Sequence, residues 1–282
     1  MPTIAELNIY PIKSCAGIAL QSATLTAAGL SYLGVHDREW MLVDEAGHFL
    51  SQRSCPALAR LRPALLPGAL VLNAPGLAPL ALPLAWPEHI VTRTVQVWDD
   101  SVQAHDCGDA AANWCSSAAG VACRLVRFAP QAQRLIENKW TAGAAVPTRF
   151  SDAYPMLLIA AASLDDLNRR LQAQGQDAVP MNRFRPNIVL DGVAAYEEDY
   201  AEFFDIGDQI RLRPVKPCAR CTIPAVDQLS GMPGFNPLDI LQAYRANPLL
   251  DGGICFGMNA ILERGAGLGL RIGAQAEMQI AF

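Results

Sequence analysis

The sequence predicts an α+β fold that is mostly β, built as a mixed, barrel-like architecture rather than a doubly wound sheet. Three observations carry this expectation. Short stretches of alternating apolar residues recur along the 282 residues, few windows show helical periodicity, and 21 glycines and 20 prolines keep interrupting the pattern. The length suits about two domains, or one large β-rich one. An apolar share of 51% with 17% charged residues describes a chain that buries a substantial core.

The elements follow in order. Residues 4–10 and 18–25 alternate as strands. Trp40–Val43 runs into a turn at 44–47 before 48–50, a hairpin signal. Seven prolines fall within residues 56–88, which limits that stretch to short edge strands and turns. Thr92–Val97 reads as a strand, Asp109–Ala119 as a helix and residues 123–128 as a strand. Residues 129–150 lack periodicity and read as a linker or surface loop, so the division is set as 1–128 and 129–282. Next comes the clearest helix: Ser163 with Asp166 three positions on forms a capping-box pattern, Leu164, Leu167 and Leu171 give the apolar stripe, and Gly175 marks the stop. Residues 188–190 and 209–215 read as strands. Asn236 and Pro237 open a helix over 238–245, and short strands at 260–262, 269–272 and 277–280 close the chain.

A net charge of −5 argues against a general nucleic-acid or membrane-surface binder. A local basic pocket is compatible with that total if Lys13, Arg38, Arg53, Arg185, Arg213 and Lys216 converge. No secretory signal and no spanning apolar run are visible, which sets a cytoplasmic, non-membrane location as the expectation. The eight cysteines are scattered, as expected for buried thiols with one functional member rather than a disulfide framework.

Four segments carry candidate chemistry. In Lys216–Thr222, Cys218 and Cys221 lie in a Pro-containing stretch beside Arg213, Lys216 and Arg220, a cationic field that favours the thiolate. Neither a second pair for zinc nor a helix for a thioredoxin-like motif follows, so two ordinary thiols are about equally compatible with the spacing. Lys13 and Ser14 follow a strand and a proline, and a lysine, a hydroxyl and free backbone N–H groups suit a phosphate. A solvated turn is the ordinary alternative. Arg185 and Asn187 precede a buried strand and suit a planar polar ring, a phosphate or a sheet edge. Arg38 sits between Asp37 and Glu39, where a surface ion pair is the common explanation. None of the usual nucleotide, zinc-protease or serine-hydrolase motifs occurs.

Taken in order, YPIKSC, HDREW, SDAYP with SLDDLNRRL, FRPNIVLDG, CARCTIPAVD and FGMN resemble the MOSC superfamily. The likeness is to the form with its own N-terminal β-barrel domain, as in the mitochondrial amidoxime-reducing component and bacterial proteins that reduce N-hydroxylated bases. It runs from about Thr3 to Ile280. The resemblance implies an N-terminal β-barrel-like domain packed on a C-terminal MOSC mixed β-barrel with a few flanking helices. It also implies a molybdenum cofactor, molybdenum on molybdopterin. Cys221 then falls on the metal ligand, a soft thiolate suited to a metal held by dithiolene sulfurs. Lys13, Ser14 and Arg38 fall on residues that hold the pterin and its phosphate, and Arg185 and Asn187 on the FRPN pair. Asp152 falls on a carboxylate near the metal that orients substrate or relays protons. Ala219 and Arg220 line the ligand loop, Arg220 countering the pterin phosphate. Asn259 stands at a cofactor-side position that is aromatic in the animal proteins, and Ala153 and Tyr154 replace smaller hydroxyl residues there.

The implied activity is reduction of N-oxygenated compounds, a small-molecule reaction with Cys221 and Asp152 as the catalytic pair. No ferredoxin-type cysteine cluster is present, so no iron–sulfur cluster is expected, and electrons are expected from a separate ferredoxin- or flavoprotein-type donor. Two alternatives belong to the same superfamily. One is a sulfur carrier, as in molybdenum-cofactor sulfurases, where MOSC joins a pyridoxal-phosphate domain absent here; pyridoxal-phosphate binding is a property associated with the superfamily. The other is a cofactor carrier without turnover.

Overall fold

A computed structural model of the chain describes residues 1–281. Its largest sheet has nine strands. The main path runs Ile18–Leu20, Thr3–Ile9, Ile188–Asp191, Met156–Ala160, Gly253–Arg264, Ile210–Ala219, Ala201–Ile206, Glu277–Ile280, and Ala246–Asn247 adds to the flank of Gly253–Arg264. Met156–Ala160 and Ile188–Asp191 are its parallel pair, joined through helix Ala161–Ala173, because parallel neighbours need a crossover. Three smaller sheets, of four, four and three strands, are built mainly from residues 22–128. The chain is thus α+β and mostly β. Because Thr3–Ile9 and Ile18–Leu20 pair into the large sheet, the division of the sequence at residue 129 is not a division between sheets.

The cores follow from the strand patterns. Ile4, Leu7 and Ile9 face inward, with a bulge between Ile4 and Glu6 resetting the alternation. They pack with Leu25, Leu30, Leu158, Leu190, Phe204 and Leu212. A second core joins Ile12, Trp40, Leu58, Leu72, Cys115 and Leu125 from the N-terminal sheets and helix Asp109–Ala119. Gly257 needs its glycine: at φ +78° its backbone passes so close to the neighbouring strand that a Cβ would lie 2.6 Å from Ile159 Cγ1 and 2.7 Å from the Leu158 carbonyl oxygen.

Several sequence expectations change. Ser163 is not a helix cap. The helix begins at Ala161, and the Ser163 hydroxyl is spent on the buried Glu198 carboxylate, 2.8 Å from Oε1. A buried carboxylate needs donors more than an exposed helix end does. Residues 129–150 are more than a linker. Leu135–Ile136 pairs with Val146–Pro147, a capping box at Asn138 starts the turn Lys139–Thr141, and Arg134 is buried. Two-residue strands are too short to show periodicity. The helix expected over 238–245 spans only Leu238–Leu241. The strand expected at 209–215 instead continues to Ala219, and the one at 260–262 is the end of Gly253–Arg264. Met156–Ala160, buried at every position, gave no alternation to read.

Candidate functional site

Backbone hydrogen bonds first bring distant segments to one place. The Lys13 amide donates to the Trp40 carbonyl (2.8 Å), the Arg38 amide to Tyr10 (2.7 Å) and the Phe150 amide to Arg38 (3.0 Å). The Asn187 amide donates to Leu157 (2.9 Å), and the Arg220 amide to Ile254 (2.8 Å). Where these segments meet lies a cavity of about 190 Å³, and all ten residues singled out in the sequence line it: Lys13, Ser14, Arg38, Asp152, Arg185, Asn187, Ala219, Arg220, Cys221 and Asn259. Lys216 and Cys218 line it too. A larger groove of about 860 Å³ lies beside Tyr10, but Arg185 is its sole member of those ten. The chemistry-bearing residues therefore define the smaller cavity as the site.

Its backbone is unusual. Ser14, Arg38 and Arg185 hold φ of 64°, 49° and 59°, left-handed conformations uncommon for residues with a Cβ. Such geometry persists where surrounding contacts over-determine it, and it clusters at ligand sites. Here the Ser14 carbonyl accepts from Gln52 Nε2 (2.8 Å), and Arg38 is pinned by the two backbone bonds above.

The electrostatics are strongly cationic. Lys13 is buried, and its Nζ donates to the Phe150 carbonyl (2.9 Å) and to Asp152 Oδ1 (2.5 Å). Burial lowers its pKa, and Asp152 pulls against that trend. Partial desolvation at the cavity works to raise the Asp152 pKa, but the Lys13 charge and hydrogen bond carry it well below the usual carboxylate range. The Asp152 side chain is 62% exposed, so the carboxylate faces the solvent side of the cavity while its ammonium partner forms the floor. Arg38 pairs with Asp37, which is fully buried, and donates to Asn187 Oδ1 (3.1 Å). The expected surface ion pair is therefore a buried one, and Glu39 pairs with Arg127 instead. Arg185 is buried, its pKa lowered by that burial and, to a lesser degree, by Arg38.

Both arginines pack on Tyr10. The Arg38 and Arg185 guanidinium carbons each sit 4.3 Å from its ring centroid, and its hydroxyl donates to the Pro186 carbonyl (3.1 Å). Burial pushes the phenol up to about 12, so it stays neutral. Gly17 leaves room for the ring, since a Cβ there would lie 2.5 Å from Tyr10 Cε1. Asn187, 1% exposed, uses its amide within the protein. Its Oδ1 accepts from the Leu157 amide (3.2 Å) as well as from Arg38, and its Nδ2 donates to the Asn8 carbonyl (3.2 Å). It positions Arg38 rather than offering free donors.

The thiol-bearing segment is the end of strand Ile210–Ala219 and the turn after it, not a free Pro-rich bend. Arg220 Nη1 donates to Cys218 Sγ (3.2 Å) and Nη2 to the Phe184 carbonyl (2.8 Å). Asn259 Nδ2 holds the Lys216 carbonyl (3.3 Å). Cys221 is half-buried at the cavity wall. Burial pushes Cys107 up to about 12 and Cys255 up to about 11, which keeps both as inert thiols. Of the six basic residues proposed to converge, Lys13, Arg38, Arg185 and Lys216 line the cavity. Arg213 pairs with Glu263 (3.0 Å), and Arg53 lies over Trp98.

With this geometry in hand, similarity to known proteins is specific. The MOSC N-terminal beta barrel domain matches residues 1–122 and the MOSC domain residues 146–275. Mitochondrial amidoxime-reducing component 1 of Mus musculus is 36% identical over 247 residues, covering 86% of this chain and 71% of the relative. The chain belongs to the MOSC family. Mitochondrial amidoxime reducing component 2 is similar as well. In Rattus norvegicus it is 36% identical over 249 residues, and in Homo sapiens 33% over 247; each match covers 86% of this chain and 72% of the relative.

MOSC domains are a molybdenum-cofactor-binding family, and the residues here fit such a group. Two buried guanidinium nitrogens of cavity-lining residues, Arg185 Nη2 and Arg220 Nε, have no hydrogen-bond partner among the described residues. Leaving charged donors unpaired is costly unless an anion answers them. An anionic, phosphate-bearing group with a metal that accepts a soft thiolate answers both the cations and Cys221.

Three contributors escaped the sequence reading. Arg134 donates to the carbonyls of Arg149 (3.0 Å) and Ser151 (2.6 Å) and so fixes the segment carrying Asp152. Tyr10 opens the YPIKSC motif and ends a strand, but its role as the ring on which two arginines pack was hidden, because those partners lie 28 and 175 positions away. Trp98, whose indole Nε1 donates to Asp152 Oδ1 (3.2 Å), sits in a hairpin turn with no distinguishing pattern.

Proposed function

We propose that this MOSC protein binds the molybdenum cofactor in the Cys221 cavity and reduces N-oxygenated compounds with electrons from a separate ferredoxin- or flavoprotein-type donor. The observation that carries the reading is the convergence of unpartnered buried guanidinium atoms and a half-buried cysteine on one cavity. The names of the similar mitochondrial proteins, amidoxime-reducing components, point to the substrate class.

In this reading Cys221 supplies the thiolate ligand to the metal. Lys13, Ser14, Arg38, Arg185 and Arg220 cradle the anionic pterin and its phosphate, with Ala219 and Asn259 shaping the wall. Asn187 and Tyr10 hold the two arginines in place. When bound, the cofactor supplies the two-electron chemistry and the affinity for oxygen that no side chain offers. The overall change is R–C(NH2)=N–OH plus two electrons and two protons to the amidine R–C(NH2)=NH plus water.

The protons are the protein's task. Of the two roles the resemblance implies for Asp152, orienting substrate or relaying protons, this reading gives it the orienting one, because its pKa is lowered well below the usual carboxylate range. Lys13, which lines the cavity with a lowered pKa, engages two N–H groups with Phe150 and Asp152, and in this reading the third acts as the donor. Asp152 holds that ammonium charged and aimed. The test is reduction of benzamidoxime by cofactor-loaded protein with dithionite and a viologen, read as benzamidine by chromatography. Benzamidine formation supports the reductase. Bound cofactor without turnover of any amidoxime, hydroxylamine or N-oxide makes the protein a carrier and overturns the reading.

A further inference from the structure

Beside the cavity stands an arrangement that cofactor binding does not use. Phe49 and Trp98 form a tilted aromatic pair with centroids 5.2 Å apart. Phe49 lies 4.9 Å from Lys13 Nζ, and Trp98 donates its indole N–H to Asp152, so the pair borders the Lys13–Asp152 end of the site. Trp98 is 43% exposed and holds φ +56°, a strained conformation for so large a residue. A planar cation already rests on it. The Arg53 guanidinium carbon is 4.7 Å from the Trp98 ring and 5.9 Å from Phe49, and among the described residues it makes no ion pair.

We propose that Trp98 and Phe49 form a stacking platform for planar N-hydroxylated amidines and guanidines, and that Arg53 occupies it until such a group displaces it. This rests on the reductase reading and assigns the residues that select its substrates. An amidine or guanidine has the shape and N–H array of the arginine head group. One that replaces Arg53 stacks on the same indole face and turns its nitrogens toward the Asp152 carboxylate. A tetrahedral amine N-oxide can do neither. Trp98 is thus a specificity residue, and Arg53 a built-in competitor.

Self-occupancy lowers apparent affinity by the fraction of free platform. An exposed cation–π contact is worth about 0.5–1 kcal/mol, which makes that fraction about a third to a sixth. Calorimetric titration with phenylguanidine, which has no N–O bond, separates the parts. Arg53→Ala should bind about three- to sixfold tighter than the wild type. Trp98→Leu loses a stack that a bound ligand desolvates, worth about 30-fold, and also frees the site of Arg53, which returns about three- to sixfold, so it should bind about five- to tenfold weaker, while Trp98→Phe should keep most of the affinity. Adjacent substitutions with opposite signs are not what a merely structural cluster gives. Unchanged or weaker binding by Arg53→Ala, or unchanged binding by Trp98→Leu, overturns the platform. If phenylguanidine follows the expected pattern but its N-hydroxy derivative is not reduced, the reductase reading fails and the platform stands. If the derivative is reduced and Trp98→Leu leaves its KM unchanged, the platform alone fails.

Discussion

Removing the ring of Tyr10 should weaken anion binding at a site it does not touch. Two guanidinium groups, both largely buried, lie over its ring at 4.3 Å, and the fully buried carboxylate nearby is Asp37. A desolvated cation–π contact reaches about 2 kcal/mol, so the pair contributes about 3–4 kcal/mol to holding both cations against their mutual repulsion. Tyr10→Phe keeps the faces and loses the bond to the Pro186 carbonyl, about 1 kcal/mol. Tyr10→Leu keeps apolar bulk but loses both contacts and the hydrogen bond, about 4–5 kcal/mol in all. Urea denaturation reads these costs. Calorimetric titration of the cofactor-free protein with pyrophosphate reads the functional consequence: Tyr10→Phe should bind like the wild type, and Tyr10→Leu about tenfold more weakly, because Arg38 and Arg185 are no longer preorganised. Equal pyrophosphate affinity in the two variants would refute the argument, whatever their stabilities.

Three further outcomes follow from the structure. Gly257→Ala places a Cβ against Ile159 and the Leu158 carbonyl at φ +78°, so it should cost about 3 kcal/mol in denaturant; a loss below about 0.5 kcal/mol would contradict the close approach. Ser163→Ala removes the hydroxyl that satisfies Glu198, whose pKa burial raises and Ser163 lowers. The raised folded pKa makes Glu198 stabilising at low pH and costly once ionised, so the variant's deficit, about 2 kcal/mol, should grow as pH rises above the ordinary carboxylate range. A deficit independent of pH would point to an ordinary helix effect. Asp152→Asn removes the charge that raises the Lys13 pKa, so the alkaline limb of the amidoxime reduction profile should move to lower pH; an unmoved limb would exclude Lys13 as donor.

The parts legible in the sequence were those with local signatures. Alternation found Thr3–Ile9 and Thr92–Val97, residue type marked Lys13, Ser14, Arg38, Arg185, Asn187, Arg220 and Cys221, and the family resemblance added Asp152, Ala219 and Asn259, all of which line the cavity. What stayed hidden depends on distant partners. Ser163 looked like a cap because its true partner, Glu198, is 35 positions away. Arg134 sat in a stretch without periodicity, yet it braces the backbone that carries Asp152. Asn187 was visible as a polar residue ahead of a strand, but only the fold shows that its amide serves Asn8, Leu157 and Arg38. Spacing likewise gives no hint that Arg38 and Arg185 pack on one tyrosine ring.

The most direct measurement is the molybdenum content of purified wild-type protein and of Cys221→Ala, each expressed with an intact cofactor supply, together with the fluorescence of oxidised pterin released on denaturation. Near-stoichiometric metal and pterin in the wild type, with metal lost from the variant, is the expected result. Molybdenum retained in full without the Cys221 sulfur, or wild-type protein that takes up neither metal nor pterin, would contradict the account.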